Sequence, residues 1–201
     1  PSTIGAEVTV VGGSTPSTNE SRFWNGDVCW VTPRDLSRLN DPVVLDTDRH
    51  ITQEGLEQIS SGLLPVGTVL LSSRAPIGYI AIAEVPVAVN QGFIAMKCDK
   101  QLSSHFTVNW VQENLNEVLA RAGGTTFAEI SKAAFRPIPL VVPPPEVLEV
   151  FDAIVAPLHA MRVANVRESR TLTELRDKLL GPLIAGELNI KSAETAVGAA
   201  I

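Results

Sequence analysis

The sequence predicts an α+β protein, in which a mostly antiparallel, curved β-sheet with a few helices is followed by one long, coiled-coil-forming α-helix. Short β-branched segments separated by Gly- and Pro-marked turns fill residues 1–145. A proline-rich run closes that region, and apolar residues in a heptad pattern follow it. We therefore expect a domain at 1–145, a long helix at 146–186 and a disordered tail at 187–201.

The predicted strands are short and are bounded by turn pairs such as Asn25-Gly26 and Val66-Gly67. Each is rich in the β-branched residues that suit a pleated, half-buried surface. The strands are Glu7–Val11, Val28–Thr32, Thr68–Ser72, Gly78–Ala83, Ala88–Val89 continuing into Phe93–Lys97, and Ile138–Val142.

Three helices are predicted within the same region. Thr52–Gly62 begins with a threonine cap, and Ser104–Arg121 has an amphipathic face with Ser103 or Ser104 as its N-cap. Gly123-Gly124 should end the second helix in a left-handed cap. A third, shorter helix is predicted at Thr126–Phe135.

The run from Arg136 to Pro145 contains five prolines, which fix φ and keep preceding residues out of the helical region. It should form an extended strap between the domain and the long helix. Pro145 is suited to the first turn of that helix, and Gly181, Pro182 and Gly186 should end it.

The long helix carries a seam that repeats every seven residues. One position holds Phe151, Leu158, Asn165, Leu172 and Leu179, and the other holds Ile154, Met161, Glu168, Leu175 and Pro182. Such a seam needs a partner helix, from a second copy or from another protein. The alternative is an amphipathic helix that lies along its own domain. Asn165 and Glu168 place polar groups mid-seam, and Pro157 should kink the helix.

Composition excludes several classes of protein. The chain of 201 residues has a net charge of −6, which disfavours a stand-alone nucleic-acid binder without excluding one basic face. No apolar run is long enough for a membrane helix, so we expect no membrane partner. Two distant cysteines fit a reducing cytoplasm and predict neither a disulfide framework nor a zinc site.

Sequence motifs for catalysis are missing. His50, His105 and His159 stand without a second ligand at helical spacing, so no metal site is predicted. Gly12–Ser17 lacks the Gly-Lys-Ser/Thr ending of a phosphate-binding loop and is interpreted as a turn. We therefore predict a non-enzymatic chain without catalytic residues or cofactors, so that any catalytic step belongs to a partner.

Eight short motifs occur in an order that resembles the specificity (S) subunit of type I restriction-modification systems. Each motif is weak alone, but their order, followed by the proline strap and the long helix, makes the resemblance strong over about residues 8–190. The motifs are Gly13–Ser17, Phe23–Val28, Trp30–Leu36, Ile51–Leu56, Leu64–Leu70, Ser72–Gly78, Ala88–Phe93 and Gly124–Thr126.

The resemblance implies that residues 1–145 form a DNA target-recognition domain and that 146–186 form a spacer helix. In that family the domain reads one half of a split DNA sequence, and the helix docks the methyltransferase (M) subunits, through which the restriction (R) subunit joins. Complete subunits carry two domains and two spacers. This chain has one of each, which makes it a natural half-subunit that forms a homodimer or an excised half.

Candidate DNA-binding residues are cations and polar side chains next to predicted turns, which could reach phosphates and base edges of double-stranded DNA. They are Arg22, Arg34, Arg74, Asn90, Gln91, Thr125, Thr126 and Lys132. Asn90 and Gln91 could instead satisfy backbone groups in a turn. Trp24 and Trp30 are interpreted as core packing rather than base-stacking residues.

Candidate dimer or partner-interface residues lie on the helix seam. They are Phe151, Ile154, Leu158, Met161, Asn165, Leu172, Leu175 and Leu179. A different class of function stays open at this stage, which is a non-catalytic adaptor whose domain binds protein and whose helix only oligomerises. One basic face on the domain would favour DNA binding as its function, whereas a large exposed apolar patch would favour binding of a protein.

Overall fold

A computed structural model of the chain describes residues 1–124, 128–187 and Gly198. It comprises two compact units, Pro1–His159 and Ala160–Ile201, and the division between them falls within the long C-terminal helix. The first unit contains all the strands of the described residues.

Ten strands and seven α-helices are formed by the described residues, together with one 3-10 turn at Ser21–Phe23. The strands are β1 Ser2–Thr3, β2 Thr9–Val11, β3 Trp24–Val31, β4 Val43–Val44, β5 His50–Ile51, β6 Val69–Ser73, β7 Ile77–Ala83, β8 Val87–Val89, β9 Phe93–Lys97 and β10 Pro139–Leu140. The helices are α1 Ile4–Glu7, α2 Pro33–Leu36, α3 Gln53–Leu56, α4 Ser104–Glu113, α5 Leu115–Ala120, α6 Lys132–Phe135 and α7 Pro145–Ile184.

The strands pair in three sheets. A five-stranded sheet has the order β2-β9-β6-β7-β4, a three-stranded sheet has the order β5-β3-β8, and β1 pairs with β10. Among the described strands, five pairings are antiparallel and two, β3 with β8 and β4 with β7, are parallel. The predicted α+β class with mostly antiparallel pairing and a long terminal helix is confirmed.

The five-stranded sheet is buried on both faces, which explains why its strands are continuous apolar runs. On β6, Val69 and Leu71 point into a core shared with α4 and α5, whereas Leu70 points into a second core shared with β8. The alternation follows from the two-residue period of a strand. A third cluster, around Trp24, Trp30 and Ile51, lies under the three-stranded sheet.

The predicted helix at Thr52–Gly62 is much shorter in the structure. Thr52 does cap α3, since its hydroxyl accepts a hydrogen bond from Gly55 N at 3.1 Å. Beyond Glu57 the backbone bonds span three residues instead of four, as from Gly62 N to Ile59 O at 2.9 Å. Gly62 then takes a left-handed φ of 62°, and these tight turns replace the rest of the helix.

The predicted helix at Ser104–Arg121 is divided at Asn114 into α4 and α5. Asn114 Nδ2 donates to Trp110 O at 2.8 Å, beside the backbone bond that Asn114 N makes to the same carbonyl at 3.0 Å. This local competition for a carbonyl interrupts helices. Of the two predicted caps, Ser103 is the one that forms, because its hydroxyl accepts from Phe106 N at 3.1 Å. Gly124 does take a positive φ of 105°, three residues after the α5 cap at Arg121.

The predicted helix at Thr126–Phe135 is limited, among the described residues, to α6. Glu129 and Gly123 exchange two backbone hydrogen bonds of 2.9 Å, and Ile130 N donates to Ser73 O at 3.0 Å. These bridges hold residues 129–130 extended, and Ser131 caps α6 by accepting from Ala134 N at 3.1 Å.

Asn25-Gly26 was predicted to be a turn before a strand, but it lies inside β3. The pairing of β3 with β5 shifts register between Trp24 and Val28, and Asn25 takes a φ of 62°. The pair therefore forms a β-bulge, in which Asn tolerates the left-handed conformation.

The long helix α7 begins at Pro145, the first-turn position that the sequence predicted, and continues through Pro157. It ends in a Schellman motif. Gly186, with φ of 72°, donates to Leu183 O at 3.2 Å, and Glu187 N donates to Pro182 O at 2.9 Å. No described helix combines the length and apolar character needed to cross a membrane.

Candidate nucleic-acid interface

The turn Asn90-Gln91-Gly92 joins β8 to β9 and is the centre of the candidate interface. Asn90 Oδ1 accepts from Gly92 N at 2.8 Å, so this amide oxygen stabilises the turn itself. Gln91 is exposed, and its Oε1 accepts from the Thr15 hydroxyl at 2.7 Å. The Gly92 carbonyl accepts from Ser73 N at 2.8 Å, which ties the turn to the end of β6.

The Gly12–Ser17 segment packs its backbone directly on β8, as expected of a turn. A Cβ on Gly13 would lie 1.7 Å from Val89 O, so a side chain has no room at this position. Ser14 N donates to Val89 O at 3.2 Å. This contact places Thr15 beside Gln91, a relation that the sequence alone did not reveal.

Next to the turn lies an open depression of about 370 Å³. It is lined by strand residues such as Phe93 and Ile94, by residues 129–133 and by Arg136. Lys132 is exposed at the start of α6, and its Nζ lies 2.6 Å from where a Cβ on Gly12 would be. The depression is large enough to admit a phosphate or a polar edge of a base.

The charges around this depression are mainly positive. Lys132 and Arg136 line it together with Glu129. Arg74 pairs with Glu129 at 3.8 Å, and Arg136 Nη2 donates to Val10 O at 2.8 Å. Three cations face one carboxylate, which favours an anionic ligand even though the whole chain is acidic. Arg136 was missed by the sequence analysis, because it was assigned only to the proline strap.

Arg34 projects from α2, beside the same turn. Pro33, the first residue of α2, lies 3.0 Å from where a Cβ on Gly92 would be. A capping box fixes the helix start, since Asp35 Oδ2 accepts from Thr32 N at 2.7 Å. Arg34 is exposed, and within the described part of the chain no carboxylate pairs with it.

The remaining predicted DNA-binding residues are placed differently. Arg22 does not line the depression and lies 3.4 Å from a carboxylate oxygen of Glu20 and 3.7 Å from one of Glu54. Thr125 and Thr126 lie outside the described residues. The structure therefore groups Arg34, Arg74, Asn90, Gln91 and Lys132 near one turn and does not include Arg22 in that group.

Trp24 and Trp30 are core residues, as predicted, with exposed fractions of 8% and 4%. Their rings meet edge to face with centroids 5.1 Å apart. The guanidinium carbon of Arg49 lies 3.5 Å from the Trp24 ring centroid, in a cation–π contact that the sequence analysis did not anticipate. These rings support the domain and are not available for base stacking.

The first half of α7 is fixed to the domain by polar and aromatic contacts. Asp152 Oδ1 accepts from the Ser103 hydroxyl at 2.6 Å, and the ring of Phe151 meets Phe106 edge to face at 5.8 Å. Phe151 is therefore partly covered by its own domain. Ile154 and Leu158, which follow it on the seam, are 61% and 60% exposed.

In the second unit, the seam residues Met161 and Leu172 are 62% and 53% exposed. Asn165 is also exposed, while Leu175 and Leu179 are half-buried. Most of the predicted seam is thus accessible on a single chain, which is unfavourable in water for side chains of this size.

Two histidines meet where α7 leaves the first unit. The rings of His105 and His159 are 4.9 Å apart, His159 Nε2 lies 2.7 Å from Glu84 Oε1, and His105 Nδ1 lies 3.9 Å from Asp152 Oδ1. Burial lowers the pKa of His105, and the neighbouring His159 adds to that effect. These groups hold the first part of α7 against the domain.

Cys29 and Cys98 are not in disulfide bonds. Burial raises the pKa of the Cys98 thiol, which therefore stays protonated near neutral pH. Cys29 lies beside Asp46 and His50, a group of three ligand-type side chains that the fold assembles from separate parts of the sequence. The expectation that no metal site exists rested on sequence spacing alone, and that spacing did not reveal this group.

The sequence matches the family model for the type I restriction modification DNA specificity domain over residues 4–156. A relative in Methanocaldococcus jannaschii, the type I restriction enzyme MjaIX specificity subunit, is 37% identical over 156 residues, covering 73% of this chain and 36% of that protein. The HindI specificity subunit of Haemophilus influenzae is 25% identical over 182 residues, covering 89% of this chain and 39% of that protein. The chain thus spans less than two fifths of these relatives.

Solved structures support the same fold. The HsdS subunit from Thermoanaerobacter tengcongensis superposes with a TM-score of 0.55 at 19% identity, covering 92% of this chain and 44% of that one. The S subunit from M. genitalium gives a TM-score of 0.51 at 15% identity, covering 91% and 45%. The relatives are named as specificity subunits, in agreement with the predicted resemblance. The chain belongs to the type I restriction modification DNA specificity domain family.

Proposed function

We propose that this chain is the sequence-specific DNA-recognition component of a type I restriction-modification complex, and that it reads one half of a bipartite site. The observation that carries the proposal is the group of cations and amides around the Asn90–Gly92 turn in a chain of this family. Cations position the phosphates, while exposed amides and hydroxyls such as Gln91 and Thr15 can read base edges.

The residues proposed to contact DNA fall into two groups. Arg34, Arg74 and Lys132 neutralise phosphates, with Arg136 added to them because it lines the same depression. Asn90, Gln91, Thr125 and Thr126 supply polar contacts, and Arg22 contributes least because two carboxylates already flank it. The chain itself performs no chemistry in this account, needs no cofactor for its role, and works in the cytoplasm, where DNA is accessible.

The helix α7 supplies the second part of the proposed function. Its exposed seam residues, among them Ile154, Leu158 and Leu172, are proposed to pair with a second copy. An antiparallel pairing centred near Asn165 would be isologous and would place one recognition domain at each end. The homodimer would then correspond to a complete two-domain specificity subunit, dock the methyltransferase subunits through the helices, and recruit the restriction subunit through them.

The distribution of exposed apolar residues favours this account over a protein-binding adaptor. Five of the exposed large hydrophobic residues lie in the first half of α7, namely Val147, Val150, Ile154, Leu158 and Met161. Among the described residues, those outside α7 are Leu63, Val66, Leu119 and Val141. The domain therefore offers a polar, cation-bearing depression, and the apolar surface needed for association is concentrated on the helix.

Fluorescence anisotropy with a labelled 40-base-pair duplex tests the DNA-binding part directly. The chain should bind at low salt, and the affinity should fall steeply as salt rises, because phosphate contacts release counterions. A control titration with a labelled acidic peptide distinguishes DNA binding from non-specific binding to any polyanion. Absence of binding to duplex DNA at 50 mM salt, with the chain folded and dimeric, would contradict the proposal.

A further inference from the structure

Cys29, Asp46 and His50 converge on one small region of the three-stranded sheet. Cys29 on β3 and His50 on β5 are directly paired across antiparallel strands, so their side chains lie on the same face. Asp46 belongs to the loop that precedes β5. The three ligand atoms are close together, with 3.6 Å from Cys29 Sγ to His50 Nε2, 3.8 Å from Cys29 Sγ to Asp46 Oδ1 and 3.0 Å from His50 Nε2 to Asp46 Oδ1.

The arrangement differs from that of a nucleophilic triad. In a triad the imidazole uses one nitrogen for the nucleophile and the other for the carboxylate. Here the thiol and the carboxylate both approach Nε2 of His50. One ring nitrogen cannot serve as acceptor for the thiol and donor to the carboxylate in the same tautomer. The geometry therefore points away from proton relay and towards a shared central ion.

We propose that Cys29, Asp46 and His50 bind a zinc ion. Zinc is bound by thiolate at about 2.3 Å and by imidazole or carboxylate at about 2.0–2.2 Å, in tetrahedral geometry. Those bond lengths place the ligand atoms about 3.4–3.6 Å apart. The observed separations of 3.0–3.8 Å bracket that range, so binding requires shifts of only a few tenths of an ångström.

The surrounding residues hold the ligands in place before an ion arrives. The Thr47 hydroxyl accepts from Trp30 N at 3.2 Å and donates to Arg49 O at 2.7 Å, which fixes the Asp46 loop to β3. Thr47 N donates to Asp46 Oδ1 at 2.9 Å and orients the carboxylate. Hydrogen bonds of this kind around metal ligands typically strengthen binding about 10–100-fold.

The site is open to solvent and suits a soft divalent ion. The side chains of His50 and Asp46 are 31% and 44% exposed, so an ion can enter without unfolding the sheet. Three protein ligands leave the fourth position for water. On binding, the Cys29 thiol gives its proton to the buffer as the zinc–sulfur bond forms, and the thiolate and carboxylate then balance the ion's charge. Magnesium and calcium prefer oxygen ligands and should not compete.

The ion would act as a clamp within the three-stranded sheet. It would join β3, β5 and the loop between β4 and β5, close to the Arg49 stack on Trp24. Because the ion binds the folded chain, it should raise the thermal midpoint, and the rise should grow with the logarithm of the ion concentration above the dissociation constant. This role is independent of DNA binding and holds even where the DNA-recognition proposal fails.

Isothermal titration of the full chain, stripped with a chelator and then titrated with zinc sulfate, tests the proposal. We expect one zinc ion bound per chain, with a number of released protons that depends on pH. Titration with magnesium should give no heat of binding. Cys29→Ser, Asp46→Asn and His50→Gln should each weaken binding at least about tenfold. Asp46→Asn changes one exposed side chain and preserves its shape, so this variant remains informative if the others fold poorly.

Three matched variants control for other zinc sites. Cys98→Ser removes the second thiol, Asp48→Asn removes a neighbouring carboxylate that pairs with Arg38, and His159→Gln disrupts the His105–His159 pair. Each should bind zinc as the parent chain does. Zinc should also protect Cys29, and not Cys98, from alkylation. Sub-stoichiometric binding by the parent chain, or undiminished binding by both Asp46→Asn and Cys29→Ser, would overturn the proposal.

Discussion

His159 on α7 lies 2.7 Å from Glu84 in the loop before β8, and the two side chains are only 11% and 18% exposed. The ring of His105 packs against His159 at 4.9 Å and lies near Asp152. A cluster of two imidazoles and two carboxylates therefore fixes the first half of the long helix to the domain.

This cluster predicts a pH dependence of stability. Burial lowers the pKa of His105 below its ordinary value of about 6.5. At pH values between the folded and unfolded pKa of His105, the unfolded chain binds more protons than the folded chain. The contribution of His105 to the free energy of unfolding is therefore complete above the unfolded pKa and is lost as pH falls through the folded pKa. Because the ring is partly solvated, the effect on stability should be small.

Proton NMR titration of the His105 ring, with urea unfolding at several pH values, measures this effect. The ring should titrate below its ordinary pKa, and His105→Gln should remove part of the stability loss between pH 7 and pH 5. A His105 pKa at or above the ordinary value, or identical pH profiles for both chains, would be inconsistent with the structure.

Gly13 should be intolerant of a side chain. A Cβ at this position would lie 1.7 Å from Val89 O, which is backbone and cannot move without breaking the contact to β8. Gly13→Ala should lower the free energy of unfolding by about 2 kcal/mol or more. The matched control is Gly123→Ala, because a Cβ there meets nothing within 4 Å, and its effect should stay within about 0.5 kcal/mol. Equal effects in urea unfolding would refute this packing account.

The sequence predicted the fold class and the helix start because those features depend on local signals. Heptad spacing, the proline strap and strand alternation are each visible within a few residues. It did not predict the division at Asn114. That division depends on a hydrogen bond from the Asn114 side chain to the Trp110 carbonyl, and the spacing of apolar residues carries no information about this bond.

The site was predicted only in part, for a different physical reason. Sequence identified Arg74, Gln91 and Lys132 from their turn-flanking positions, but not that Gln91 bonds to Thr15, 76 positions away. It missed Arg136, whose role depends on where the strap runs, and the group of Cys29, Asp46 and His50, which only strand pairing brings together. Contacts over long sequence separations follow from the fold and not from spacing.

The cations around the turn should differ in their effect on DNA binding. Arg34→Ala and Lys132→Ala should each weaken binding to duplexes of different sequence and reduce the salt slope by about one. Arg22→Ala should have a smaller effect, because Glu20 and Glu54 already offset its charge. Anisotropy titrations over a range of salt concentrations measure these slopes.

Arg121→Ala is the control for this series, since Arg121 is the C-cap of α5 and pairs with Glu117 at 2.7 Å. It should leave both affinity and slope unchanged. A larger loss for Arg22→Ala than for both Arg34→Ala and Lys132→Ala would move the DNA-binding surface away from the Asn90–Gly92 turn.

The seam of α7 should determine the oligomeric state. Leu172→Asp combined with Leu175→Asp should convert the dimer to a monomer, because each charge would be buried at the contact without a partner. Sedimentation equilibrium at tens of micromolar measures the change. Thr173→Asp combined with Leu180→Asp adds the same charge away from the seam and should remain dimeric. A monomeric parent chain would contradict the proposed homodimer. So would a variant that remains dimeric with both Leu172→Asp and Leu175→Asp.

Mapping methylated adenines in a plasmid tests whether this chain selects the DNA sequence that is methylated. The chain would be co-expressed with the methyltransferase subunit of its own system in a host that lacks other adenine methylation. We expect methylation at one split sequence whose two halves are inverted repeats. This methylation should be absent when the chain is omitted and altered when the Gln91→Ala variant replaces the parent chain. Methylation without a defined sequence, or the same sequence without this chain, would contradict the claim that the chain recognises DNA.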